Sequence, residues 1–479
     1  MEFDALTIIL TITIAVVLAY VQFNKVEPDV HPLVLEEQSS PAHIRNEGET
    51  VIHRSKSVPH GAPLITQPSN KIKTLYDVWQ TGLALNPTGR SIMYMLQNQF
   101  SFVNSTYEQV DRRISGFGSG FVALTGLKPK TETPIGIMTP YSQAIIVSQK
   151  VLPSVLSVLG DCPSIKTIIV AGIYFSEEQT KIAAQYNATL VKFATLEYDG
   201  LSSPIEHVKP DPEDVAMINY NTKSSSLSKG VILTHANLMA AMAAFITSLS
   251  GAKRFTSNDR LLTHFSNGDV IAVWMSSAII LVGGSLVFPS GLMKNVLHDA
   301  QASMPTVFAS TPVILEKIHE ALHLTYGKGA LFQRAYAAKL DMLKAGCITT
   351  SSIWDYIALG EIRSRLGGKV RMIVTTNPTK VETLEYIRAA MGIHVISTYG
   401  RTETSGIATS RSMFDYSSVA HLGGPVGCNE IKLVDDIEGK HTCTDVPNPR
   451  GEILVRGPNV MKGYYKKPNT TASALDKDG

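Results

Sequence analysis

The spacing of apolar and polar positions opens with an uncharged, mostly apolar run from Ala5 to Phe23 and then alternates helix-like and strand-like segments to the end of the chain. That first run is close to the roughly 20 residues with which a helix crosses the hydrocarbon of a bilayer. Glu2 and Asp4 precede it, Lys25 follows it, and no small-residue cleavage site closes it. The pattern predicts an uncleaved anchor with the body on the cytosolic side. From Glu27 to Asn70 the chain is rich in Pro, His, Ser and Glu without a sustained period, which predicts an extended tether lying along the body. Helical spacing resumes over residues 73–85, with Leu75, Val78, Trp79 and Leu83 on one face, and over residues 106–124, with Ser105 as its N-cap.

Residues 134–138 read as a buried strand, and apolar runs at 215–218 and 231–233 flank a polar loop. An Ala- and Met-rich helix follows at 238–249. The apolar stretch 272–288 is long enough to pass for a second span, but Trp274, Ser276, Ser277 and the Gly283-Gly284 pair favour a buried helix running into a strand. Residues 304–319 predict a strand, a tight turn and a helix with Pro312 in its first turn, and residues 392–396 a further strand.

Composition narrows the picture. A chain of 479 residues, 44% hydrophobic and 18% charged, buries a large core and forms more than one domain or subdomain. Its net charge of +2, with no basic block interleaved with aromatics, argues against a nucleic-acid partner. Cys162, Cys347, Cys428 and Cys443 lie far apart with no C-x-x-C, against both a disulfide framework and a structural zinc site.

Candidate chemistry begins at Tyr220. Thr222, Ser224, Ser225, Ser226 and Ser228 are small hydroxyl donors, and Lys223 and Lys229 add positive charge, so the loop can hold phosphate oxygens. Composition alone favours a polar surface loop joining a strand to a helix. The stretch resembles the Y-T-S-G-T-T-G-x-P-K-G-V-x-x-T-H-x-N motif of the AMP-forming acyl-CoA synthetases. It keeps Tyr220, Lys229, Gly230, Val231, Thr234, His235 and Asn237, but has Lys223 and Ser226 where that family has glycines and Ser228 where it has proline.

Residues 397–405, Ser-Thr-Tyr-Gly-Arg-Thr-Glu-Thr-Ser, resemble the same family's Y-G-x-T-E without change. The resemblance implies that Tyr399 stacks on adenine, that the Thr402 hydroxyl binds the α-phosphate and that Glu403 holds Mg2+. A π face, a neutral donor and a hard carboxylate suit those partners. Where the family has G-A-A-P-L-S, this chain has Thr375, Thr376, Asn377, Pro378, Thr379 and Lys380, so side chains are expected where a base needs close approach. The family's L-P-L-x-H segment would fall near residues 266–270; His264 is out of register and is assigned no role. Residues 150–172, 304–319, 332–346 and 354–374 resemble the long-chain branch, although only residues 141–149 stand where a helix and strand are expected before residue 150. One βα unit is therefore expected to be missing from the first subdomain, leaving a hole in its sheet.

The resemblance implies an α/β fold: a large adenylating domain of two α/β subdomains and a small β-barrel-like subdomain, behind an N-terminal transmembrane helix. The expected division is an anchor at 1–27, a tether at 28–70 and an AMP-binding domain at 71–479. The implied nucleotide-binding residues are Tyr220, Thr222, Ser224, Ser225, Ser226, Lys229, Tyr399, Gly400 and Thr402, with Thr402 and Glu403 catalytic and Glu403 the Mg2+ ligand. The implied activity is that of a long-chain fatty acid-CoA ligase using ATP and coenzyme A, on the endoplasmic reticulum. The family's W-x-x-T-G-D aspartate and C-terminal lysine would follow Gly479, so impaired turnover is expected of the chain as written. The alternative is a non-catalytic, membrane-anchored relative that binds acyl chains or nucleotide, or pairs with a full-length ligase.

Overall fold

A computed structural model describes residues 5–23, 28–31, 33–36, 38–41, 46–59, 61–95, 102–127, 143–221, 228–249, 251–265, 268–291, 293–376, 378–417 and 421–476. The expected strand at 134–138 lies outside them. Ala5–Phe23 is a helix in which the Thr11 and Thr13 hydroxyls donate to the carbonyls of Thr7 and Ile9, so the threonines satisfy themselves within an apolar segment. Ile8, Leu10, Val16 and Leu18 are 49 to 63% exposed. Among the described residues, however, no helix is long and apolar enough to cross a membrane.

Chain contacts divide the protein into a unit of residues 1–104 and 211–479 and a unit of residues 105–210. The larger unit is built on a nine-stranded sheet. Its parallel core runs through Arg90–Met95, Ser285–Phe288, Arg260–Thr263, Val307–Ser310, Met372–Thr376 and His394–Tyr399. Strands such as Val307-Phe308-Ala309 and Met372-Ile373-Val374 are apolar at every position because the sheet is covered on both faces. Ala309, Val374 and Ile396 pack in the cluster around Trp274 with the helices His235–Ser248 and Val270–Leu281. The alternate residues Phe308, Ile373 and Val395 pack in the cluster with the helices Pro312–Tyr326 and Val381–Met391. The stretch at 272–288 is thus the expected buried helix and strand, turned at Gly283 with φ +73°.

Several boundaries differ from expectation for local reasons. The helix Tyr107–Thr125 is capped by Thr106 rather than Ser105, because Thr106 and Gln109 close a reciprocal capping box. Gly392 belongs to the C-terminus of the preceding helix, in the left-handed conformation, and the strand starts at His394. In place of a barrel-like subdomain there is a four-stranded antiparallel sheet. It comprises Glu430–Val434 and Glu452–Arg456 joined by Ser39–Pro41 and His53–Ser55. The segment expected as a tether therefore lies along the body and also adds two of that sheet's strands. The Arg54 guanidinium fixes it by pairing with Glu430 at 3.3 Å, and Lys432 pairs with Glu49 at 2.7 Å.

The smaller unit holds three parallel strands, Ala144–Ser148, Thr167–Ala171 and Thr189–Lys192, paired in chain order. The three strands close consecutively around an apolar core of Ile145, Val147, Leu152, Ile168, Val170 and Leu190, and the place of the expected missing unit, before residue 143, lies outside the described residues.

A second anchoring point of the N-terminal segment carries a pH dependence. The Tyr416 hydroxyl donates to Asp29 Oδ2 at 2.6 Å and lies 3.2 Å from Nδ1 of the buried His394. Burial, with the nearby Lys253, pushes the His394 imidazole down to about 4. The unfolded chain, with an ordinary histidine near 6.5, takes up the proton first. Stability is expected to fall as pH drops from about 6.5 towards 4, by about 2 kcal/mol at pH 5 from this group. Thermal unfolding at pH 7 and pH 5 checks it: His394→Gln should lose less than the native chain, and equal losses would refute the assignment.

Candidate functional site

Tyr399 ends its strand at the carboxyl edge of the parallel sheet, where open α/β sheets bind their ligands. The chain then folds back so tightly at Gly400 that a Cβ there would lie 2.3 Å from the Ile407 nitrogen, so no larger residue fits. The 3₁₀ turn Thr402–Thr404 follows, and Ser405 takes φ 52°. This turn is held from beneath by Asn459, which is fully buried. Its amide donates to the carbonyls of Thr404 at 2.8 Å and Ile407 at 2.7 Å, while its side-chain oxygen accepts from Asn429 at 2.6 Å. The Ser405 hydroxyl donates to the Asn459 carbonyl at 2.7 Å.

Glu403 is thereby presented in a defined pose. Its Oε1 accepts a hydrogen bond from the Tyr464 hydroxyl at 2.9 Å, and its backbone carbonyl accepts one from Met461 N at 2.8 Å. Its Oε2 is buried with no hydrogen-bond partner among the described residues. A buried carboxylate oxygen left this way has unused capacity for a donor or a cation. Lys229 Nζ lies over the Tyr464 ring, 5.2 Å from its centroid. Burial, followed by the bond to Glu403, raises the Tyr464 phenol to about 12, so it remains a donor through the neutral range.

The strands on either side of the candidate phosphate loop pair antiparallel, so the loop joins strand to strand rather than strand to helix. Val215–Asn221 pairs with Lys229–Thr234, with Asn221 opposite Lys229 and Tyr220 opposite Gly230. A Cβ at Gly230 would lie 2.8 Å from Ile218 Cγ2 and 2.9 Å from Tyr220 Cζ, so glycine is what lets the Tyr220 ring cross its partner strand. Thr222, Ser224, Ser225 and Ser226 lie outside the described residues. The rest of this motif has structural roles. Thr234 caps the next helix through a box with Asn237, and His235 Nδ1 accepts from Leu75 N at 3.3 Å. The Asn237 amide donates to the carbonyls of Pro458 and Val460 at 2.8 and 2.9 Å.

Lys229, Tyr399, Arg401, Glu403, Thr404 and Tyr464 line part of one cavity of about 820 Å³. Tyr220, Gly400 and Thr402 are not on its described wall. Of the residues expected to crowd a base, Thr375 and Thr379 are buried, whereas Thr376 is half-buried; Asn377 lies outside the described residues. His264 is half-buried beside Phe308, with ring centroids 5.3 Å apart, and neither of its ring nitrogens has a hydrogen-bond partner among the described residues.

Among the described residues no three His, Cys, Asp or Glu side chains gather as a metal site. The donor set instead fits a hard cation carried by phosphate oxygens and completed by one carboxylate, the usual mode for Mg2+. Tyr464 and Asn459 were not singled out from sequence, because they sit in a segment that reads only as short strands and turns. The one available signal was an aromatic hydroxyl and an amide placed among turn residues.

The sequence model of the AMP-binding enzyme family matches residues 141–465. The peroxisomal long chain acyl-CoA synthetase 6 of Arabidopsis thaliana is 34% identical over 343 residues, which are 70% of this chain and 48% of that protein. Long-chain-fatty-acid-CoA ligase 5 of Rattus norvegicus is 29% identical over 453 residues, 85% of this chain and 65% of that protein. The chain thus spans about half to two thirds of the length of these relatives. The adenylation domain of a carboxylic acid reductase from Segniliparus rugosus, solved with AMP and a co-purified carboxylic acid, superimposes with a TM-score of 0.63 at 16% identity. The match covers 86% of this chain and 71% of that one, a likeness of fold.

Proposed function

This chain belongs to the AMP-binding enzyme family, and from that premise we propose that it serves long-chain fatty acid activation with ATP and coenzyme A. In that reaction a fatty carboxylate oxygen attacks the α-phosphorus, pyrophosphate leaves, and the coenzyme A thiol then displaces AMP to give the acyl-CoA. The observation that carries the reading is the meeting of Lys229, Tyr399 and Glu403 on one cavity wall, with a buried Glu403 oxygen still able to accept. Tyr399 offers a flat face to the base and Thr402 a hydroxyl to the α-phosphate. Lys229 and the hairpin tip serve the departing pyrophosphate, where negative charge grows as the bond breaks. Glu403 would hold Mg2+, which supplies neutralisation of phosphate charge when bound.

We also propose that residues 5–23 attach the protein to a membrane, the endoplasmic reticulum in a eukaryotic cell, with the body cytosolic. A helix with exposed Ile, Leu and Val side chains supports attachment.

One experiment tests both proposals. The full chain is floated with liposomes, and palmitate-dependent exchange of labelled pyrophosphate into ATP is measured in the floated fraction. The expected result is a floated chain with fatty-acid-dependent exchange. Chain left behind refutes the attachment, and exchange indifferent to palmitate refutes the activity.

A further inference from the structure

The segment Gly463–Tyr464 touches both halves of the candidate site. Its backbone pairs with the strand leaving the hairpin tip, Gly463 opposite Ile232 and Tyr464 opposite Val231, and Tyr465 N donates to the Gly230 carbonyl at 2.8 Å. The side chain of Tyr464 reaches the other half: its hydroxyl donates to Glu403 Oε1, and its ring carries Lys229 above it. Tyr464 is buried, so its hydroxyl has little competition from solvent.

We infer that Tyr464 is a positioning residue, which occupies one oxygen of Glu403 so that the other is held out for a cation-bearing phosphate ligand, and which ties that carboxylate to Lys229. The inference rests on the reading of Glu403 as the cation ligand. Three physical points support it. A carboxylate at the end of a flexible side chain must lose rotamer freedom before it can complete a coordination shell, and a phenol donor of fixed direction removes that freedom in advance. Among the described residues Oε1 is engaged and Oε2 is not, so the hydrogen bond breaks the equivalence of the two oxygens. Finally, a cation over the ring's π face increases the polarity of the O–H and places Lys229 toward the same anionic ligand. The backbone pairing of Tyr464 does not use its hydroxyl, so Phe can replace it without disturbing the strand.

The test is calorimetric titration of the full chain with ATP in EDTA and with ATP plus excess Mn2+, for the native protein, Tyr464→Phe and Glu403→Ala. The quantity read is the factor by which Mn2+ tightens ATP binding. Tyr464→Phe is expected to cut that factor about tenfold, the scale of one hydrogen bond to a charged group, with affinity in EDTA within about twofold of native. Glu403→Ala should abolish the factor. A factor abolished by Glu403→Ala yet unchanged in Tyr464→Phe overturns the positioning role and leaves the cation ligand standing. A larger factor in Tyr464→Phe also overturns it, because the phenol would then be obstructing the carboxylate. A Mn2+ effect that is absent from the native chain, or that survives Glu403→Ala, overturns the cation assignment and this inference with it. Unfolding midpoints of the three proteins in EDTA, expected to agree within a few degrees, exclude misfolding as the cause.

Discussion

Replacing Glu403 by Gln is expected to lower palmitate-dependent pyrophosphate exchange by about 10² to 10³, the usual cost of losing one preorganised group that stabilises charge in the transition state. The substitution is chosen for what it preserves. A glutamine carbonyl can still accept from Tyr464, and the backbone bond from Met461 N to residue 403 is untouched. What disappears is negative charge at the buried oxygen that has no partner within the described protein. If that oxygen completes a cation's shell, the loss falls on chemistry and on metal-dependent affinity. If Glu403 merely braces the turn, Gln should behave like the native residue. Exchange rates alongside thermal unfolding separate these cases. Exchange within about threefold of native, at unchanged unfolding temperature, would remove Glu403 from the reaction.

Asn459→Leu is expected to be the more damaging change to the fold, although Asn459 is not on the cavity wall. Leucine is close in volume but leaves the Ile407 carbonyl and the Asn429 amide without the partner each now has, and strips the Thr404 carbonyl of one of its two donors, Ile407 N being the other. Each orphaned buried group costs about 1 to 3 kcal/mol, so a total of about 2 to 5 kcal/mol is expected for the two once partial relaxation is allowed. The damage should centre on the Tyr399–Glu403 turn, because all three bonds meet beneath it. Trp274 provides a local probe: a Cβ on Gly406 would lie 3.4 Å from its indole nitrogen, so the turn and this ring are neighbours. Asn459→Leu should lower the unfolding midpoint by several degrees and shift the tryptophan emission before global unfolding. A midpoint within a degree of native, with unaltered emission, would show that the network carries little stability.

Elements with strong local signals were legible in the sequence. The helix with Pro312 at its first position, the buried helix and strand around Gly283, and the strand leading to Tyr399 depend on periodicity, ring geometry and glycine conformations that act within a few residues. The Tyr-Gly-Arg-Thr-Glu run and the Lys-Gly-Val after the polar loop could be recognised because their order along the chain is itself the signal. Matching a motif did not by itself say what each of its residues does. Thr234, His235 and Asn237 look like part of a binding motif, but they cap a helix and fasten neighbouring backbone.

The remaining features required contacts between distant segments. Nothing local at residues 39–41 or 53–55 says strand, since their edges are satisfied only by the sheet containing residues 430–434. Nor does the sequence near Tyr464 indicate Glu403, which is 61 residues away and reaches it only because both chain segments pack at the end of the hairpin. Residue types and their order determined which family this chain belongs to and which groups could do chemistry. The tertiary structure decided which oxygen of Glu403 is engaged, what holds the turn beneath it and which threonines are buried, because hydrogen bonds and burial are settled by neighbours in space.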